Sequence, residues 1–320
     1  MTPQMMMKRR INQTFLMMCL TLGIQFALGI PVAMVLALEE FGISLPSYYT
    51  EFVLLQFLYP IATCSMALIT LRILRIPAGA LITANPIKKD FWPWLGLFLG
   101  VSVVMNYLIN FLLWLLEIAG LALPDLFLSY NPKDVPQAIC YFVVLAILPP
   151  VCEEVLCRAT LGGLLKHFNP WLAVFVSAYA FGMMHGNVQQ IPFAFVLGVV
   201  LGFVYVKTGN LLYPILFHFV NNCWACIMTY VSIWGSEFWQ DVIGYGVDLL
   251  FLAVGVVSLL WLWKKKQFTL SEIPHSLTVA EGRAAVVKSP WFWVFTGIYA
   301  ALTFGTLGLD ILQGMDLLPF

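Results

Sequence analysis

Apolar residues along this chain fall into long blocks separated by short polar breaks. A helix that crosses a bilayer needs about 20 mostly apolar residues. Nine blocks qualify: 14–38, 51–74, 93–116, 137–160, 170–185, 190–206, 211–233, 242–263 and 290–312. The fifth and sixth are short, and the stretch between them, Gly186 to Gln190, is polar. They predict a hairpin that ends inside the protein and lines a wet pocket; if it does not cross fully, the count is eight. The pattern predicts an all-α, polytopic transmembrane helix bundle of eight or nine membrane segments.

Composition agrees. The chain is 61% hydrophobic and 10% charged, against about 25% charged for a soluble domain. Its formal net charge is zero, so nothing points to nucleic acid. With the N-terminus in the cytoplasm, fourteen of the sixteen basic residues fall in inside segments: Lys8, Arg9, Arg10, Arg72, Arg75, Lys88, Lys89, Lys166, Lys207, Lys264, Lys265, Lys266, Arg283 and Lys288. Outside loops carry only Lys133. That bias is the positive-inside rule. Trp and Tyr near block ends read as interface anchors: Tyr48, Tyr49, Trp92, Trp94, Trp234, Trp239, Trp261, Trp263, Trp291 and Trp293. Lys207 reads as a side chain that snorkels to the cytoplasmic surface. The polar stretch Lys264 to Ser289 reads as a solvated connector. No cleavable signal is evident, and the first span is expected to be retained. The seven cysteines sit in apolar segments without a disulfide framework, and Cys223 and Cys226 have redox spacing but no βαβ context. No internal repeat is visible, so 1–320 reads as one membrane domain.

Against this background a few polar residues stand out. The fourth block holds Glu153, Glu154 and Arg158, the fifth His185, and the seventh His218, Asn221 and Asn222. Ionisable groups at membrane depth are costly and face a bundle interior or a wet cavity. Glu154 and Arg158 are four apart, share a helix face and can form an ion pair. Glu153 is turned about 100° from Glu154, which leaves it as the free carboxylate. His218 and Asn222 also share a face, and Phe181 lies one turn before His185. Pro149 and Pro150 remove backbone donors just before the glutamates and predict a bend or a new helix. Gly162, Gly163, Gly182, Gly186, Gly198 and Gly202 permit close helix contact. Glu39 and Glu40 form a similar pair, but at a block end with Ser at position 44, and read as solvated. Asp248 reads as structural.

A carboxylate, two imidazoles and an amide suit water activation and oxyanion stabilisation. The same groups can bind zinc, with Glu153, His185 and His218 as ligands, although no HExxH helix is present. No cofactor is favoured, and Zn2+ is the alternative. On straight helices His185 would lie about 22 Å from the start of its segment and His218 about 12 Å. They meet only if the fifth helix is tilted, short or starts deeper.

The stretches EEVLCR (Glu153, Glu154, Arg158), FGMMH (Phe181, His185) and HFVNN (His218, Asn222) match in order and spacing the motifs EExxxR, FxxxH and HxxxN. In these the chain resembles the CAAX protease and bacteriocin-processing family of intramembrane endopeptidases, the type II CAAX prenyl endopeptidase or Abi family. The resemblance covers about 137–233; blocks in 14–136 and 234–320 read as flanking helices. It implies a cavity facing the cytoplasm, with Glu153 and His185 activating water, and His218 and Asn222 holding the oxyanion. Glu154, Arg158 and Phe181 would support them. Family members are labelled metalloproteases or act as glutamate proteases, and the sorting of the two glutamates favours the metal-independent route. The implied partners are a membrane-associated protein or peptide substrate and the lipid bilayer. The compact organisation points to a bacterial plasma membrane, where peptide maturation, bacteriocin immunity or protein turnover fits better than prenylated substrates. Alternatives of other classes are a proton-coupled transporter, against which the lack of repeat symmetry speaks, and a non-catalytic membrane scaffold.

Overall fold

The computed structural model describes residues 1–37, 54–120, 132–271 and 273–314. Among these residues the chain is helical throughout, with no strand. The helices are α1 (Pro3–Ala37), α2 (Leu54–Ile73), α3 (Phe91–Ile118), α4 (Val135–Leu165), α5 (Pro170–Met183), α6 (Gln190–Thr208), α7 (Leu212–Trp234), α8 (Glu237–Lys264), α9 (Val279–Val287) and α10 (Pro290–Gly314). Seven of them contain a stretch long and apolar enough to cross a membrane; the apolar part of α2, Phe57–Ile73, and the whole of α5 are shorter. Together they account for the nine blocks. Glu39, Glu40, Tyr48 and Tyr49 lie outside the described residues.

Helix α4 is the centre of the bundle. Every residue from Cys152 to Leu165 is buried, and α1, α2, α5, α6 and α7 all pack on it. The lipid-facing helices contrast with it: half of the apolar window of α4 is buried, but only 11% of that of α8. The motif-bearing helix therefore sits where its charged side chains are shielded from lipid.

Pro149 and Pro150 do not break α4. The chain passes them by widening into π-helical turns at Val143–Ile147 and again at Val155–Gly162. Such turns expel one residue per bulge and recur at functional sites. Pro149 has no N–H to offer the carbonyl of Leu145 four residues earlier. The side chain of Asn222 takes that place, its Nδ2 lying 2.8 Å from Leu145 O.

The segments that charge bias puts on one side of the membrane do meet there. Leu211 N donates to Thr83 O at 2.8 Å, Thr83 Oγ1 to Gly209 O, Asn210 Nδ2 to Asn85 O at 2.8 Å, and Tyr213 OH to Asp90 at 2.9 Å. The 264–289 stretch is exposed over most of its described length, as expected of a solvated connector, but it is anchored: Leu270, Leu277, Ala285 and Val286 are buried in the core, and Leu277 N donates to Phe168 O at 2.9 Å. Lys207, half-buried, reaches that same segment and donates to Thr269 O at 3.1 Å. Trp94 is 1% exposed and stacks near Phe203 and Phe268, so it is a core residue, not an interface anchor. Asp248 lies within electrostatic reach of the Tyr107 hydroxyl.

Helices α3 and α8 cross at glycine. A Cβ on Gly100 would stand 2.7 Å from Gly255 Cα, and one on Gly255 2.6 Å from Gly100 Cα. Real Cβ atoms do not approach backbone so closely, so any side chain forces the helices apart. Gly100→Val is expected to lower the melting temperature of the detergent-purified protein, by about 1–3 kcal/mol of overpacking; an unchanged melt would show that the crossing is not tight.

Candidate active site

Three helices and one turn build the site around Glu154. Its carboxylate lies 3.0 Å from Arg158 Nε one turn on, both side chains fully buried. The N–H does not point at the oxygen, and none of the guanidinium nitrogens has a hydrogen-bond partner among the described residues. The contact is therefore ionic rather than a fork of hydrogen bonds. The guanidinium lies over Phe181, its Cζ 4.2 Å from the ring centroid, where the negative face of the ring attracts it.

The other oxygen of Glu154 meets His218 Nδ1 at 3.0 Å. Sequence reasoning missed this contact, because an i,i+4 spacing points to Arg158 and nothing local points across 64 residues to α7. A carboxylate held beside Arg158 accepts, so His218 Nδ1 carries a proton and Nε2 is left for other work.

His185 is not on a helix. α5 ends at Met183, after 14 residues, and the backbone turns through Gly186 with φ +66. Gly186 has nothing within 4 Å of a would-be Cβ, so its role is this left-handed turn and not helix contact, unlike Gly182, Gly198 and Gly202 on the α5–α6 crossing. The short helix removes the depth mismatch: the Phe181 ring is edge-on to both imidazoles, with centroids 5.0 Å from His185 and 5.5 Å from His218. His185 Nδ1 lies 2.8 Å from Phe181 O, a carbonyl left without its helical partner at the end of α5. A carbonyl only accepts, so Nδ1 holds the proton and Nε2 keeps its lone pair.

Glu153 is set apart from Glu154. Among the described residues it has no hydrogen-bond partner, and 8% of its surface stays open, against 0% for Glu154. It lies within electrostatic reach of His218 and Arg158, and His185 within reach of the same two. Glu153, Glu154, Arg158, Phe181, His185 and His218 are thus brought together. Asn222 is tied to Leu145 O instead of another candidate, with Asn221 Nδ2 3.3 Å from its Oδ1. Tyr59 and Tyr299, from flanking helices, also lie within reach of Glu153; neither lies in a motif, so no sequence signal marks them. No three His, Cys, Asp or Glu side chains among the described residues are grouped so that they could hold one metal ion.

Residues 135–224 match the protein family described as type II CAAX prenyl endopeptidase Rce1-like. The similarity to this family is confined to that segment. The segment holds Glu153, Glu154, Arg158, Phe181, His185, His218 and Asn222, as the motif resemblance implied. Over 97 residues, 30% of its length, the chain is 28% identical to the putative membrane peptidase YdiL of Bacillus subtilis. Over 183 residues, 53% of its length, it is 28% identical to the membrane-embedded CAAX protease MroQ of Staphylococcus aureus. The matched part spans 40% of YdiL and 70% of MroQ. No solved structure matches significantly. With seven long apolar helices and these two bacterial relatives, the chain is a multi-pass bacterial membrane protein, and the matched segment contains the buried stretch 152–165 of α4.

Proposed function

We propose that this protein is an intramembrane endopeptidase that hydrolyses a peptide bond of a membrane-associated protein or peptide without a metal. One observation carries the reading. Two imidazoles from separate segments each spend Nδ1 on a fixed protein acceptor and meet at the Phe181 ring, with no Nε2 partner among the described residues, and His218 lies within electrostatic reach of Glu153, a buried carboxylate with no hydrogen-bond partner among the described residues.

In this mechanism Glu153 takes a proton from water while the water oxygen bonds to the substrate carbonyl carbon. His185 Nε2 accepts the second water hydrogen and orients the attack. The carbonyl pair moves onto its oxygen. His218 can donate to that oxyanion only from Nε2, since Nδ1–H is held by Glu154, so it acts as imidazolium with Glu154 balancing its charge. Asn222 spends one amide hydrogen on Leu145 O and has a second to offer. As the tetrahedral species collapses, the amine leaves with the proton held by Glu153.

The test is cleavage of a membrane-peptide library by purified protein in detergent, with and without a chelator. Cleavage unaffected by chelator is the expected result. Activity that vanishes with chelator and returns with Zn2+ would overturn the metal-free route. Absence of cleavage, with uptake driven by a proton gradient in vesicles, would replace the protease reading by transport.

A further inference from the structure

His185 stands on a turn, where no helical hydrogen-bond ladder fixes it, and yet the chemistry proposed above needs its ring held to within a fraction of an ångström. The Asn187 side chain supplies a clamp. Its Nδ2 lies 2.9 Å from His185 O and 2.9 Å from Gln190 Oε1, and its Oδ1 accepts from Gln190 N at 2.8 Å. One amide therefore ties the backbone of His185 to the first turn of α6. From the other side, His185 N donates to Gly182 O at 3.1 Å and the ring meets Phe181 O at 2.8 Å. The turn is held at both ends, and Asn187 is the side-chain half of that hold.

We infer that Asn187 is a positioning residue for His185: by fixing its carbonyl against α6 it keeps the ring with Nδ1–H on Phe181 O and Nε2 free for the reacting water. Its catalytic part rests on the protease reading; its structural part does not. The bland account is that Asn187 only caps α6 through Oδ1, as Asn commonly does at a helix start. Asn187→Asp separates the two. It keeps the oxygen that accepts from Gln190 N and adds a charge favourable at a helix N-terminus. It removes both N–H donors and sets carboxylate oxygens against His185 O and Gln190 Oε1.

The experiment reads folding, kinetics and tautomer together on the full chain in detergent. Four histidines, His167, His185, His218 and His275, make a 15N-histidine spectrum assignable by single substitution. In wild type the His185 signals should show the proton on Nδ1. Asn187→Asp should leave the melting temperature near wild type, mix the His185 tautomers and lower kcat about ten- to a hundredfold at unchanged KM. Asn187→Ser, neutral and still an acceptor, is read the same way and stands in if the Asp variant does not fold. His185 signals unchanged in these variants overturn the proposal, whatever the activity. If wild type cleaves no peptide, the protease reading fails separately, and the tautomer signals still decide whether Asn187 holds His185.

Discussion

Glu153→Gln is expected to stop cleavage while leaving the protein folded. Glutamine has the same shape but cannot take a proton from water, and removal of a positioned general base costs about 10²–10⁴ in rate. Glu153 has no hydrogen bond or ion pair among the described residues, so neutralising it strands no neighbour, and relieves the cost of burying a charge. The melting temperature should stay level or rise, while kcat falls below detection. A variant that cleaves as well as wild type would remove Glu153 from the mechanism.

Glu154→Gln should fail for another reason. Glu154 and Arg158 are both 0% exposed, and removing the Glu154 charge leaves the guanidinium buried without its contact partner. Breaking a buried pair costs about 3–5 kcal/mol, read as a large drop in melting temperature. The amide oxygen can still accept from His218, but it no longer balances an imidazolium, so the remaining folded protein should cleave poorly. The double variant Glu154→Gln with Arg158→Met separates the two debts. Removing the orphaned guanidinium should recover most of the stability and none of the activity. If it restores cleavage as well, Glu154 serves Arg158 alone, and His218 does not need its charge.

These two neighbours show how far local reasoning carries. Spacing on a helix separates Glu153 from the Glu154–Arg158 pair, since rotation per residue is a property of the backbone and holds wherever α4 lies. The structure keeps that division and adds His218 to Glu154, which no spacing announces. The prolines were legible as lost donors, but not their remedy: π-helical turns within a continuous helix, and an amide from α7 on Leu145 O. Of the three ways in which His185 and His218 could meet, the structure takes the short helix: α5 stops at Met183 and a turn carries His185, an end that no spacing marks.

A bundle of apolar helices, the bias of its basic loops and three polar motifs too costly for lipid are legible along the chain, because they depend on solvent and on neighbouring residues. Contacts across the chain decide the rest: α4 at the centre, Trp94 in the core, and Phe181 edge-on to two imidazoles. The physical reason is range. Hydropathy and helical rotation act within one segment, whereas a hydrogen bond such as His218 to Glu154 is set by how α4 and α7 pack, and packing follows the shapes of all the helices at once.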